Sequence, residues 1–329
     1  MRRNIPHRSD VDSERSPSAR SNAAQAEAVL GRLNEMGARG TKAHIALRSI
    51  MAATDFSDNS VSVLTHAAAM ARRYRSKLYV VHVIPTDVYK SVPAEVMTEA
   101  LKQTRAYVQD AMENQLRLEF LQGLQNEAVI REGQVAAELL RCAEEHEVEL
   151  LAVGTRGHQG LERLLRGSVA EEVFRQASCP VLIVPPRAGE QAGIPIRTIL
   201  YPTSFSENSL RAAPYAFSLA RRHRARLILL HVLSDTMSRY PDDRIRLKAA
   251  GEKRLQQLLQ TKDGPSRETS IYVEFGSVDQ KILRVAWEDH ADLIVLGIAS
   301  AGAAVAHVAA GLTYRIIGGA PCPVLTIRG

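Results

Sequence analysis

Short apolar runs alternate with helical patterns along most of the chain. In the first part of the chain we predict strands near residues 49–54, 77–83, 127–131, 149–154 and 180–184. Helices are predicted between these strands, near residues 58–74, 93–122, 135–146 and 168–177. The strands are continuously apolar, which is typical of strands that are covered on both faces. The pattern therefore predicts an α/β protein with a doubly wound parallel sheet.

The later part of the chain repeats the earlier part in the same order. Ala-Thr-Asp-Phe-Ser at 53–57 returns as Pro-Thr-Ser-Phe-Ser at 202–206, and Cys-Pro-Val-Leu-Ile at 179–183 returns as Cys-Pro-Val-Leu-Thr at 322–326. We therefore predict a tandem duplication. Its parts are a basic, largely disordered extension at 1–46, a first domain at 47–186, a Pro/Gly-rich linker at 187–195 and a second domain at 196–329.

Composition and charge exclude several classes of protein. The chain has 329 residues, of which 45% are hydrophobic and 24% are charged, as in ordinary globular proteins. Its three cysteines include no C-x-x-C pair, which excludes a disulfide scaffold and a zinc ribbon. The net charge is +6, but residues 1–48 hold nine Lys or Arg against five Asp or Glu, so we expect no nucleic-acid partner for the folded body. The uncharged stretch 293–314 is predicted to be a buried strand, a loop and a short helix, and we expect a cytoplasmic protein without a membrane span.

Residues suited to nucleotide chemistry follow the predicted strands of the first domain. Asp55 follows the first strand, Gly154 and Gly157 follow the fourth, and Gly167 precedes Ser168 at the start of a helix. Ligands of doubly wound sheets bind beyond the carboxyl ends of the strands, where glycine turns and free helix N–H groups suit phosphates. Each residue also has a structural interpretation. Ser168 begins a capping box, and Asp55 and the glycines fit ordinary turns.

These residues carry a resemblance to a known family. The spacing Gly-x2-Gly-x9-Gly-Ser at 154–168, together with Ala-Thr-Asp-Phe-Ser at 53–57, resembles the ATP-binding branch of the universal stress protein family. The resemblance covers both domains and implies five-stranded parallel sheets of order 3-2-1-4-5. It also implies ATP in the first domain, with Mg²⁺ at the phosphates. The cofactor-binding residues that it implies are Ala53, Thr54, Asp55, Val83, Val153, Gly154, Arg156, Gly157, Gly167, Ser168 and Val169.

The same resemblance implies a role for each part of the site. Asp55 would face the adenosine, the backbone of Val83 would bond adenine, and Gly154 would line the ribose. The phosphates would be held by Gly157, Gly167, Ser168 and Val169.

The second domain departs from this pattern. Ser204 stands where the first domain has Asp55, and only Gly297 remains of the first three glycines. Gly157, Gly167 and Ser168 are replaced by Ser300, Ala310 and Gly311. Added Cβ atoms obstruct the approach of the backbone to a phosphate, and the capping hydroxyl is lost. We therefore predict a second domain that acts as a scaffold without ATP.

The leading interpretation is a nucleotide-dependent stress-response or regulatory module. Its expected partners are ATP and an unidentified protein, and neither a catalytic residue nor a metal-ligand set stands out. Two alternatives stay open: a slow ATPase or phosphotransferase, and a ligand-free interaction scaffold. The last strands, near 180–184 and 323–327, are predicted at sheet edges, and an unpaired edge invites association. We therefore expect the two domains to pack as a pseudo-dimer, and whole chains to form homodimers.

Overall fold

The computed structural model describes residues 45–87, 94–155, 169–186, 188, 193, 195–237, 241–260, 268–299 and 306–328. In the first domain, strands and helices alternate. They are β1 (Ser49–Ala53), α1 (Asp58–Tyr74), β2 (Lys77–Pro85), α2 (Ala94–Leu116), β3 (Asn126–Gly133), α3 (Val135–Glu145), β4 (Leu150–Gly154), α4 (Val169–Gln176) and β5 (Val181–Val184).

The second domain repeats this order, with its first helix split in two. Its elements are β6 (Thr198–Pro202), α5 (Glu207–Arg211), α6 (Ala213–His223), β7 (Arg226–Leu233), α7 (Pro241–Leu259), β8 (Thr269–Phe275), α8 (Val278–Glu288), β9 (Leu293–Ile298), α9 (Ala306–Gly319) and β10 (Val324–Arg328). The split occurs at Ala212, two residues before Pro214, which is placed in the first turn of α6 where a missing N–H is tolerated.

All ten strands form one sheet of order β3-β2-β1-β4-β5-β10-β9-β6-β7-β8. Each domain contributes five parallel strands in the order 3-2-1-4-5, as predicted. The domains meet where β5 and β10 pair antiparallel, with Leu182 opposite Leu325. The predicted pseudo-dimer through the last strands is therefore confirmed, and the two sheets join into one continuous sheet.

The alternation of side chains along the strands divides the core into two layers. Ile50 and Ala52 of β1 belong to one hydrophobic cluster, which also contains side chains of α1 and α6. Met51 lies between them in sequence and belongs to the other cluster, which contains side chains of α3, α4 and α8. Successive strand residues point to opposite faces, so both faces of the sheet are covered. This explains the continuously apolar strands.

One predicted helix boundary differs from the structure, and some predicted segments lie outside the described residues. The helix expected over 93–122 ends at Leu116 and is followed by a short 3-10 helix, Glu119–Leu121, and by Gly123 with φ +74°. The uncharged stretch is a strand, Leu293–Ile298, and a 14-residue helix, Ala306–Gly319, as predicted. Residues 1–44 and most of the linker lie outside the described residues.

Candidate functional site

The turn that follows β1 is organised by the carboxylate of Asp55. The N–H and hydroxyl groups of Ser57 donate to Asp55 Oδ1 at 3.1 and 2.6 Å, and the hydroxyl of Ser60 donates to the same oxygen. The N–H of Asp55 donates in turn to Ser60 Oγ at 3.0 Å. Ser57 Oγ accepts the N–H of Ser60 and so caps α1. Asp55 therefore lies at the carboxyl end of β1, held against the start of α1.

Two further residues fix the backbone of this turn. Phe56 has a left-handed conformation with φ +63°, and its ring stacks on that of His82 with 4.5 Å between centroids. Its N–H donates to Thr54 Oγ1 at 3.1 Å. The hydroxyl of Thr54 is buried and donates to Gln115 Oε1 of α2 at 2.9 Å. The strand end is thus tied to two helices.

The second domain builds the same turn without a carboxylate. Ser204 Oγ lies 3.0 Å from Ser206 Oγ and 3.4 Å from Ser209 Oγ, and it accepts the N–H of Ser206 at 3.4 Å. Phe205 has φ +59° and packs on His231, with 4.7 Å between ring centroids. A serine hydroxyl at this position is therefore sufficient for the turn, and the negative charge of Asp55 is not required for it.

His82 and His231 occupy equivalent places in the two domains and have the same structural role. The Nδ1 atom of His82 lies 2.8 Å from the carbonyl oxygen of Thr54, and that of His231 lies 2.8 Å from the carbonyl oxygen of Thr203. Burial lowers the pKa of both imidazoles, although their backbone hydrogen bonds oppose the shift.

Strand β1 is the switch point of the first domain because β2 and β4 lie on its two sides. Its register with β2 ends where Ala53 faces Val81, whereas β2 continues alongside β3 as far as Pro85. Val83 therefore lies two residues beyond the last pair with β1, and its side chain is buried. What Val83 can offer a ligand is its main chain. Val153 is also buried, one residue before the end of β4.

Gly154 has a packing role that the sequence did not reveal. A Cβ atom on Gly154 would lie 2.2 Å from Asn59 Nδ2 of α1. A Cβ on the equivalent Gly297 would lie 2.0 Å from the carbonyl oxygen of Asn208. Both glycines thus pack against the start of the first helix of their domain, against a side-chain end at Gly154 and against the main chain at Gly297. The presence of Gly154 is explained without a ligand.

The remaining predicted site residues are only partly described. Arg156, Gly157, Gly167 and Ser168 lie outside the described residues, as does Ser300 of the second domain. Val169 begins α4 and is 38% exposed. Among the described residues, no group of three or more His, Cys, Asp or Glu side chains is placed to hold a metal ion.

Sequence reasoning also missed Gln115. This residue is buried and bonds Thr54, directly before Asp55. The signal in the sequence was its position: Val108 and Met112 are apolar residues on one face of the predicted helix, and Gln115, seven residues after Val108, is a polar residue on the same face. The repeat aligns Gln115 with Leu258, 143 residues later, the offset that also relates Gly154 to Gly297.

The fold defines a tandem, doubly wound α/β protein. Two segments, residues 46–185 and 195–328, match the model of the universal stress protein family. The chain therefore belongs to the universal stress protein family, in a two-domain form. None of the helices in the described part of the chain is long and apolar enough to cross a membrane.

Individual relatives resemble single domains or the whole chain. Universal stress protein MJ0531 of Methanocaldococcus jannaschii is 33% identical over 141 residues, which is 42% of this chain and 81% of that protein. Universal stress protein YxiE of Bacillus subtilis is 31% identical over 143 residues, or 41% of this chain and 97% of that protein. A universal stress protein structure from Archaeoglobus fulgidus covers 86% of this chain and 98% of its own, with 21% identity and a TM-score of 0.63. It supports the fold.

Proposed function

We propose that the first domain binds ATP at the carboxyl ends of β1, β2 and β4, and that the protein is a nucleotide-dependent stress-response or regulatory module. The observation that carries this proposal is the contrast between Asp55 and Ser204. Both residues hold the same turn, but only Asp55 places a carboxylate at the switch point, where doubly wound sheets bind their ligands. The turn itself does not require this charge, since Ser204 forms the same turn in the second domain.

The described residues fit an adenosine group. A carboxylate at the end of β1 accepts hydrogen bonds from ribose hydroxyls or from the adenine amino group. The main chain of Val83 follows the last β1–β2 pair and supplies backbone groups for the edge of adenine. The phosphates would be held by Gly157, Gly167, Ser168 and the N-terminus of α4. Mg²⁺ would bind through these phosphates, because it retains several waters and commonly bridges substrate phosphate oxygens.

We propose regulation by ATP binding and release. Among the described residues of the site, His82 is held by the carbonyl group of Thr54 and stacks on Phe56, which does not favour a role as general base. The experiment must distinguish this proposal from two alternatives. One is a slow ATPase or phosphotransferase, and the other is a ligand-free scaffold.

The decisive variant is Asp55→Ser, because the second domain already forms this turn with a serine. We expect it to fold and to bind ATP roughly 10- to 150-fold more weakly in calorimetry, the effect of losing a hydrogen bond to a charged group. Asp58→Ser is the matched control. It removes an exposed carboxylate three residues away, at the first position of α1, and we expect it to bind ATP like the wild type.

Three outcomes would change the proposal. Wild-type affinity in Asp55→Ser would exclude the carboxylate from the site. A wild-type protein that releases no nucleotide on heat denaturation, and binds none on titration, would favour the scaffold. Steady-state ATP turnover that is lost in Asp55→Ser but kept in Asp58→Ser would favour the enzyme.

A further inference from the structure

A large cleft lies over the seam between the two domains, on the face of the sheet covered by α1 and α6. Its volume is about 1590 Å³, above the roughly 300–1,000 Å³ of common small-molecule pockets. Apolar side chains of the central strands line it, among them Leu150, Leu182, Leu293 and Leu325. The C-terminal ends of α1 and α6 supply its polar part. Six arginines line the cleft, three from each domain at equivalent positions: Arg72, Arg73, Arg75, Arg221, Arg222 and Arg224.

The positive charge of this cleft is not balanced by nearby carboxylates. Asp292 is the one acidic residue among the lining side chains of the described chain, and its Oδ2 accepts the N–H groups of Arg197 and Thr198 at 2.7 and 2.8 Å. Within the described residues, five of the six arginines form no ion pair with Asp or Glu; they are Arg72, Arg73, Arg75, Arg222 and Arg224. The two helix C-termini supply roughly half a negative charge each. A net excess of several positive charges remains.

Capping of the helices explains only some of these arginines. Arg73 and Arg222 each donate from Nη2 to the carbonyl oxygen of the other, across the pseudo-twofold axis. Arg72 donates to the carbonyl oxygen of Phe120 at 3.0 Å. Such bonds satisfy carbonyl groups but leave the charge of the guanidinium in place.

Helix capping does not explain the side chains of Arg75 and Arg224. Each follows its helix in the left-handed conformation, with φ +59° and +56°, where glycine or asparagine is the usual choice. Their side chains make no hydrogen bond to another described residue. The two guanidinium groups thus line the cleft at equivalent positions without a capping role.

Unpaired polar atoms are buried beside these arginines. Arg222 Nε, His223 Nε2 and the hydroxyl of Tyr74 are buried and have no hydrogen-bond partner among the residues that the structure describes. Arg222 and His223 line the cleft, and Tyr74 packs against both, with its ring centroid 5.3 Å from the Arg222 guanidinium carbon and 5.9 Å from the His223 ring centroid. Burial raises the pKa of Tyr74 to about 12, so its hydroxyl stays a donor at neutral pH. Buried polar groups without a partner are rare and call for an explanation.

We propose that this cleft binds a polyanionic small molecule that carries two or more phosphate groups. The arginines supply the planar, multiple donors that suit phosphate oxygens, and the unpaired Nε–H group of Arg222 gains an acceptor. The three arginine positions recur in both domains. Anionic groups at the two ends of one ligand can therefore contact equivalent sets of arginines, one set from each domain. The apolar strand residues contact the remainder of the ligand. This site is separate from the proposed ATP site, since α1 has 17 residues and its two ends lie about 25 Å apart.

Tripolyphosphate titration of the full-length protein at physiological ionic strength tests the proposal. We compare the wild type with Arg75→Gln/Arg224→Gln, which removes the two guanidinium groups that cap no helix. Arg117→Gln/Arg246→Gln is the charge-matched control, because both residues are exposed and lie away from the cleft. Gly157→Val, at a position proposed above to hold the ATP phosphates, separates the cleft from the strand ends of the first domain. Calorimetry gives the affinity, and the NMR signal of the His223 imidazole reports on the cleft itself.

We expect the wild type, the charge-matched control and Gly157→Val to bind tripolyphosphate with equal affinity and to show a shifted His223 signal. Arg75→Gln/Arg224→Gln should bind at least roughly tenfold more weakly while its unfolding curve stays that of the wild type. The proposal is overturned if the wild type does not bind, if the His223 signal is unmoved, or if the charge-matched control is weakened as much as the cleft variant. Loss of binding in Gly157→Val alone would place the anion at the proposed ATP site and overturn it equally.

Discussion

The hydroxyl of Thr326 donates to the carbonyl oxygen of Val181 at 3.2 Å, across the line where the two domains meet. The same two residues face each other in the antiparallel register of β5 and β10. Strands within each domain run parallel, so this seam is the antiparallel junction of the ten-stranded sheet. In an isolated domain, β5 or β10 would be an edge strand with unpaired backbone groups. Tandem fusion therefore buries two edges against each other within one chain.

We predict that Thr326→Val lowers the free energy of unfolding by about 1 kcal/mol. The substitution keeps the shape of the side chain but removes a buried hydrogen bond, which contributes about 0.5–1.5 kcal/mol. Urea unfolding measures the loss, and hydrogen exchange should show faster exchange of β5 and β10 amides.

Thr65→Val is the matched control for the seam. It removes a hydroxyl-to-carbonyl bond of 2.8 Å to Val61 within α1, and it should leave exchange in β5 and β10 unchanged. Unchanged stability and unchanged seam exchange in Thr326→Val would show that its hydroxyl does not hold the two domains together.

We predict that Gly297→Ala destabilises the protein more than Gly154→Ala. The new Cβ at 297 would lie 2.0 Å from the carbonyl oxygen of Asn208 and 2.7 Å from Cα of Ser209, so the backbone of α5 or β9 must shift. Overpacking of this kind costs roughly 1–3 kcal/mol. The new Cβ at 154 meets the end of the Asn59 side chain, which can rotate away. Urea unfolding of both variants checks the order, and an equal or larger loss for Gly154→Ala contradicts it.

We predict that His223 makes the protein less stable as the solution becomes acidic. Burial, followed by the charges of Arg73 and Arg222, lowers the pKa of His223 from 6.5 to about 4. Between these two values the unfolded chain takes up a proton that the folded protein does not bind, so stability falls as pH decreases from 6.5 toward 4. The contribution of this residue between pH 7 and pH 5 is about 2 kcal/mol.

His223→Tyr removes this titration and introduces the residue found at the equivalent position, Tyr74. Urea unfolding at pH 7 and pH 5 should show a smaller loss of stability in the variant than in the wild type. An identical loss in both proteins would mean that His223 is protonated in the folded state at pH 5.

The sequence predicted the architecture because repeats and apolar runs are local signals. The strands and helices follow from local patterns and the tandem organisation from the repeat, whereas the strand order was implied by the resemblance to the universal stress protein family. The pairing of β5 with β10 was expected from the edge position of the last strands. The arginine cleft could not be found in this way, because Arg75 and Arg224 are 149 positions apart and only the antiparallel seam brings α1 and α6 together. The one available signal was the recurrence of Arg-Arg-x-Arg at 72–75 and 221–224.

The candidate site shows a second limit of sequence reasoning. A glycine at a strand end fits both a ligand and close packing, and only the distance from Gly154 to Asn59 reveals the packing role. Asp55 could likewise be a turn residue or a ligand group. The structure shows that it does form the turn, and the second domain shows that a serine suffices. Comparison of the two domains is therefore more informative than either motif alone.

We predict that Ser204→Asp does not create a second ATP site. The variant supplies the missing carboxylate in a turn that already has the correct hydrogen bonds, because Ser204 contacts Ser206 and Ser209 as Asp55 contacts Ser57 and Ser60. The phosphate-binding positions of the second domain remain altered, however, since Ser300, Ala310 and Gly311 replace two glycines and a serine. Calorimetry should therefore give a single ATP per chain for both wild type and variant. Two sites in the wild type would contradict the assignment of the second domain as a scaffold, and a second site gained in Ser204→Asp would show that the carboxylate alone decides binding.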